Sequence, residues 1–165
     1  MKGFINNIIQ EFGLKEWKQG MENMPTLSIY REKEKPQWEE FYDGTLGSEI
    51  LFKARTSSLE VNDRTYRYNE LGSKTCQACS TAADETITHM MNVCEAYDEM
   101  RGAATDHYKS IIGNVKFREV IESENFGASY FLGFKDAPRA VIEVTKALLC
   151  DIWKMRDRIL KELVI

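Results

Sequence analysis

Apolar residues recur along this chain at steps of three and four, the spacing that gathers one face of an α-helix. Phe4, Ile5, Ile8, Ile9 and Phe12 form a first stripe, and Leu14, Trp17, Lys18 and Met21 either extend it or follow it after a break at Gly13, until Pro25 ends the segment. Leu27 and Ile29 alternate, but the charged tail REKEK after them favours helix over strand. Pro36 suits the first turn of a further helix carrying Trp38, Phe41 and Tyr42, and Asp43-Gly44 is a stop signal. Leu46, Ile50, Leu51 and Ala54 share the face of another helix. Asn62-Asp63 marks a turn, and residues 62–82 are rich in Asn, Ser, Thr and Gly.

The second half predicts a short helix over Thr86–Cys94, a longer one from Ala96 to Ile112, and another from Val115 to Ile121. Phe126–Phe134 is an aromatic, glycine-containing connection. After Pro138, the positions Val141, Val144, Ala147, Leu148, Asp151, Ile152, Met155, Ile159 and Leu163 repeat at helical steps. This C-terminal helix is the strongest local pattern in the chain. No repeat of fixed period interrupts the order. The expected architecture is therefore all-α: one multi-helix domain over residues 1–165, with a long C-terminal helix and an inserted Cys3His knuckle at about residues 74–101.

The insert carries the chemistry. Cys76-x2-Cys79-x9-His89-x4-Cys94 uses three of the four cysteines and one of the two histidines. Two thiolates two residues apart grip one ion from a tight turn, and a His and a Cys five apart close a tetrahedron from a short helix and its end. These are the S and N donors that zinc takes in four-coordinate structural sites. Four protein donors leave no position for water, so the expected role of one Zn2+ ion is structural. Cys150, between Leu149 and Asp151 on the last helix, reads as a core thiol, and His107 as a surface or packing residue.

Composition narrows the function. Hydrophobic residues make up 43% of the 165 and charged residues 29%, enough for a packed core. The net charge is −4, split as −2 over residues 1–60, −3 over 61–101 and +1 over 102–165. A generally basic nucleic-acid surface is excluded, so any such site must be a local patch. Lys53, Arg55, Arg64, Arg67 and Lys74 offer one, interleaved with Phe52, Tyr66 and Tyr68. Cations of this kind contact phosphates while aromatics stack on unpaired bases. Glu60, Asp63 and Glu70 dilute the patch, and an ordinary solvated face fits it equally. Tyr97 and Arg101, four apart, share a helix face and serve either packing or nucleic-acid contact. Lys154, Arg156, Arg158 and Lys161 near the C-terminus fit helix-end charge complementarity. The acidic stretch from Asp84 to Glu99 suits a basic protein partner instead, and the long helix offers a surface for a homodimer.

No phosphate loop, HExxH or nucleophile elbow is present, so no enzyme is expected. No apolar run reaches membrane-spanning length and the N-terminus lacks a secretory pattern, which places the expected chain inside the cell, in nucleus or cytoplasm, away from membranes.

The run CQACSTAADETITHMMNVCEAYDEMR, residues 76–101, resembles the C-terminal zinc-knuckle segment of non-LTR retrotransposon reverse transcriptases. The matching positions are Cys76, Cys79, Glu85, Thr86, His89, Cys94, Tyr97 and Arg101. LFKARTSSLEVNDR, residues 51–64, and LLCDIWKMRDRI, residues 148–159, are similar to the stretches that flank the knuckle there. The likeness spans residues 27–160, with the knuckle as its specific part. It implies a zinc-binding, non-catalytic accessory domain that binds RNA or DNA, either cut from such a protein or derived from one as a small stand-alone gene. The paired-aspartate polymerase motif and the Pro-Asp nuclease motif of those elements are absent from this sequence. The alternative is a domesticated protein–protein adaptor in which zinc is purely structural.

Overall fold

A computed structural model describes residues 2–27, 30–36, 38–123 and 127–163. Seven α-helices occur among them, and no strand: α1 (Lys2–Glu22), α2 (Leu46–Arg55), α3 (Asn62–Tyr66), α4 (Ile87–Asn92), α5 (Asp98–Ile121), α6 (Ala128–Phe131) and α7 (Arg139–Glu162). The all-α class and the long last helix read from the sequence are both present.

α7 is the axis of the domain. Pro138 precedes it with extended backbone, and α2 and α5 pack along it, with α4 and α6 making smaller contacts. Its inward face is Val141, Ile142, Thr145, Leu148, Leu149, Ile152 and Arg156. That face is rotated from the expected stripe: Ala147 and Asp151 are exposed, as is Leu163, which lies beyond the helix's packed length. Thr145, Lys146 and Arg156 are buried with the apolar residues because each finds partners there. Tyr108 of α5 donates to Thr145 Oγ1 (2.9 Å), which in turn donates to the Phe131 carbonyl (2.9 Å). Lys146 reaches Asp43 (2.8 Å) and Glu143 (2.9 Å), tying α7 to the loop before α2.

α2 starts at Thr45, whose hydroxyl accepts from the Ser48 amide, and buries Ile50, Leu51 and Ala54. Leu46, expected on the same face, is exposed. α5 is two helices joined by a break: Gly113 has φ 77° and ψ 158°, a conformation essentially restricted to glycine. The break falls between the two helices that the sequence pattern separates, and it lets Tyr108, Phe117 and Phe131 cluster with ring centroids 4.5–6.5 Å apart.

The N-terminal third departs from expectation. α1 is helical as its stripe requires, although the side chains of Phe4, Ile5, Ile8 and Ile9 lie outside the described residues, as do Ile29 and Phe126. The helix expected around residues 27–35 is two separate 3-10 turns, Pro25–Leu27 and Tyr30–Glu32. The helix expected from Pro36 is absent among the described residues: 38–42 form an irregular turn, with Trp38 exposed. A buried cation overrides the local pattern. Arg55 is fully buried and pairs both guanidinium nitrogens with Glu39 (2.8 Å each). It also donates to the Tyr42 hydroxyl (2.7 Å) and lies within 4.5–5.6 Å of the Tyr30, Phe41, Tyr42 and Phe134 rings. Lys33 closes on the same carboxylate at 2.7 Å. Drawing Glu39, Phe41 and Tyr42 around one guanidinium is incompatible with a regular helix through them, because a helix spreads neighbours over different faces.

Candidate metal centre

Residues 74–85 double back on themselves. Thr75 and Asp84 form an isolated antiparallel bridge, with the Cys76 amide donating to the Ala83 carbonyl (2.8 Å) and the Glu85 amide to the Lys74 carbonyl (2.8 Å). This pairing fixes Cys76 and carries Cys79 in the loop beyond it. Thr86 then caps α4 by accepting from the His89 amide (3.0 Å), which places His89 on the first turn. Cys94 follows the end of α4, its amide bonded to the His89 carbonyl (2.8 Å).

These elements converge on one point. The ligand atoms of Cys76, Cys79, His89 and Cys94 all lie within 4.8 Å of one another. Cys76 Sγ is 3.8 Å from Cys94 Sγ, and Cys79 Sγ is 3.4 Å from His89 Nε2. A tetrahedral ion with ordinary zinc bond lengths puts two sulfurs about 3.8 Å apart and a sulfur and a nitrogen about 3.6 Å apart. The donor set therefore fits one tetrahedral metal ion, with Nε2 as the imidazole donor.

Each of these cysteine sulfurs accepts at least one hydrogen bond from its neighbourhood. The Ala78 amide donates to Cys76, the Ala96 amide to Cys94, and the Thr81 amide and hydroxyl to Cys79, the hydroxyl at 3.1 Å. Without a cation, burial pushes the Cys94 thiol up to about 12 and raises Cys76 as well. Burial acts against Cys79 too, but its Thr81 donors prevail and its pKa falls. Burial also lowers His89, the charge of Arg101 adding to the effect. That keeps the imidazole neutral, the form a metal binds. The four donor atoms, close together and with the imidazole neutral, could hold one metal ion.

The centre is locked to the long helix by a contact that sequence reasoning misses. Glu85, between the two halves of the ligand set, is 1% exposed, and its carboxylate receives Arg156 of α7 through two nitrogens, Nε at 2.9 Å and Nη2 at 2.8 Å. The Asn62 amide donates to the same carboxylate (2.8 Å), while the Asn62 side chain bonds Arg156 (3.2 Å) and the Thr75 carbonyl (2.8 Å). Arg156 also lies over Trp153, 4.9 Å from its centroid. It is thus a core residue and not part of a solvated cationic end. The available signal was its place one turn after Ile152 on the buried face.

The residues expected to contact nucleic acid divide. Arg55 is in the aromatic box described above, and Tyr97 is fully buried beneath the centre; both are corrected from surface contacts to core residues. Arg101 donates to the carbonyls of Met90 and Cys94 and pairs with Asp98, so it closes the end of α4. Lys53 pairs with Glu49 and Arg67 with Asp63, each one helical turn away. Arg64 lies over Tyr68 (5.4 Å) and Lys74 over Tyr66 (5.1 Å), on the exposed segment before the metal turn. Cys150 packs, half-buried, against the core, and His107 is exposed.

No protein-family model matches the chain, and no curated protein or solved structure matches it either. Among the described residues, no helix is long and apolar enough to cross a membrane.

Proposed function

We propose that the chain is a zinc-stabilised, non-catalytic module that presents a protein-binding surface, its ion holding residues 74–101 in shape. The Cys3His donor set and its tetrahedral spacing support zinc as the ion. The observation that carries the adaptor reading is the fate of the cations around the centre. Of Lys53, Arg55, Arg64, Arg67, Lys74 and Arg101, four have a carboxylate partner within the chain, and Arg64 and Lys74 lie over tyrosine rings instead. One of those four is wholly buried, and the net charge is −4. A phosphate-binding surface needs uncommitted cations.

A second reading rests on the segment 62–74. There the Arg64–Tyr68 and Lys74–Tyr66 pairs set cations over exposed or half-exposed rings, a composition that suits single-stranded nucleic acid. The resemblance to retrotransposon knuckles points the same way. Fluorescence anisotropy decides between the two, using labelled single-stranded RNA, hairpin RNA and duplex DNA at two salt concentrations. Silence at low salt from folded, zinc-loaded protein is the expected result. Binding that weakens steeply with salt and falls in Arg64→Ala or Arg67→Ala would install the nucleic-acid reading instead. Elemental analysis of protein purified without chelator should find one zinc per chain; its absence would remove zinc from the proposal.

A further inference from the structure

Beside the metal centre, α4, the two halves of α5, α6 and α7 leave an open cleft of about 420 Å³. Its floor is Met91, Tyr108, Phe117, Phe131 and Leu148, and its volume lies in the range of ligand-binding clefts. The apolar surface continues outward to exposed Ile121.

Two features bear on what enters it. The first is Gly102, which lines the mouth in the interior of α5. Glycine there costs a helix about 1 kcal/mol relative to alanine. Its backbone does not demand glycine, since its φ is outside the left-handed range, and a Cβ at this position meets no atom of the chain within 4 Å beyond the helix's own backbone. Nothing inside this chain requires the missing side chain, and its absence leaves the backbone of α5 open to a close approach from outside. The second feature is charge. Asp98 lines the cleft and pairs with Arg101, and Glu99 and Asp106, each next in sequence to the lining residues Asp98 and Thr105, are exposed and have no ion-pair partner among the described residues; Glu95, which accepts from Ser80, is exposed just before α5. Arg101, the cation that lines the cleft, is held by the Met90 and Cys94 carbonyls and Asp98, Lys109 is exposed with its ammonium 5.4 Å from the Phe117 ring, and on the opposite side Lys116 pairs with Glu119 while Arg118 is exposed.

We infer that this cleft is the docking site for a basic amphipathic helix of a partner protein, which sets apolar side chains on the aromatic floor, crosses α5 closely at Gly102 and places lysine or arginine against Glu95, Glu99 and Asp106. The assignment rests on the adaptor reading. Helix-in-groove recognition of this kind uses anchors at i, i+3, i+4 and i+7, and charge complementarity sets which partners are admitted.

The test uses zinc-loaded full chain and two labelled helical peptides. Both carry leucine at i, i+3, i+4 and i+7; one has lysine and the other glutamate at the remaining positions. The lysine peptide should bind at least tenfold tighter than the glutamate peptide. Gly102→Leu, which occupies the mouth while improving helix propensity, should weaken it by tenfold or more, and Glu99→Lys should weaken it less. Circular dichroism confirms that both variants fold. Equal binding of the two peptides, or lysine-peptide binding indifferent to Gly102→Leu, would mean general attraction to an acidic surface and overturn the assignment. A concentration-dependent dimer that Gly102→Leu abolishes would give the cleft to a second copy and overturn it as well. Failure of the peptides with the nucleic acids also silent removes this cleft alone; salt-sensitive, Arg67-dependent RNA binding removes the adaptor reading itself.

Discussion

Replacing Arg156 by methionine tests whether the Glu85 contact is the lock between the metal centre and α7. Methionine keeps the length and the apolar stem but removes the cation. Glu85 would lose donors at 2.9 and 2.8 Å and keep the Asn62 amide. A carboxylate this buried, stripped of its partner charge, costs about 3–5 kcal/mol. A domain of this kind is stable by about 5–15 kcal/mol in all, so Arg156→Met should move the urea midpoint far down. The double variant Glu85→Gln/Arg156→Met leaves a neutral amide that still accepts from Asn62, and should recover about 2 kcal/mol or more of the loss. The assay is urea unfolding of zinc-loaded protein followed by circular dichroism, with Trp153 emission, isolated by Trp17→Phe and Trp38→Phe, as a local probe because Arg156 lies over its ring. Measuring Glu85→Gln alone as well completes the cycle that isolates the pair. A loss under about 1 kcal/mol in Arg156→Met, or a double variant no more stable than the single, would refute the reasoning.

Three further outcomes follow from the same geometry. Chelation, or Cys76→Ser, should release the ion and cost several kcal/mol, with hydrogen exchange rising first over residues 70–101; unchanged protection there would mean that the ion does not hold the segment. Burial raises the Glu39 pKa, but the bonds from Arg55 and Lys33 outweigh it and the net shift is downward. Its contribution is therefore present above the ordinary glutamate value and lost as pH falls through the lower folded value, so Glu39→Gln should flatten the acid side of the stability profile, while costing about 3 kcal/mol at neutral pH by stranding Arg55. Two glycines of α5 should respond with opposite sign in thermal unfolding: Gly113→Ala loses about 1–3 kcal/mol to its backbone conformation, whereas Gly102→Ala gains about 1 kcal/mol of helix propensity.

The ligand set was legible because metal coordination leaves its mark in residue type and spacing: Cys76, Cys79, His89 and Cys94 meet as their spacing requires. α2, α4, the two halves of α5 and α7 were legible because their apolar residues repeat with the helical period. What escaped was chemistry decided by distant partners. Nothing local to Arg55 says that four aromatic rings and Glu39 will enclose it, and its neighbours Lys53 and Arg64 make it look like one more surface cation. Arg156 was hidden in the same way among Lys154 and Arg158. In both cases a long cationic side chain at a core-facing helical position was the clue, and a solvated charge run was the commoner explanation. The missing helix after Pro36 has the same cause, since Glu39 and its neighbours answer to Arg55 and not to their own sequence.

The Glu85–Arg156 contact joins residues 71 positions apart, which has a consequence during synthesis. All four metal ligands leave the ribosome well before the arginine that locks them to α7. A growing chain can therefore capture its ion while Glu85 is still free to face water, and the carboxylate need be desolvated only when its partner arrives. With loading first and locking second, the order of translation would spare the chain an interval with a buried, unpaired charge.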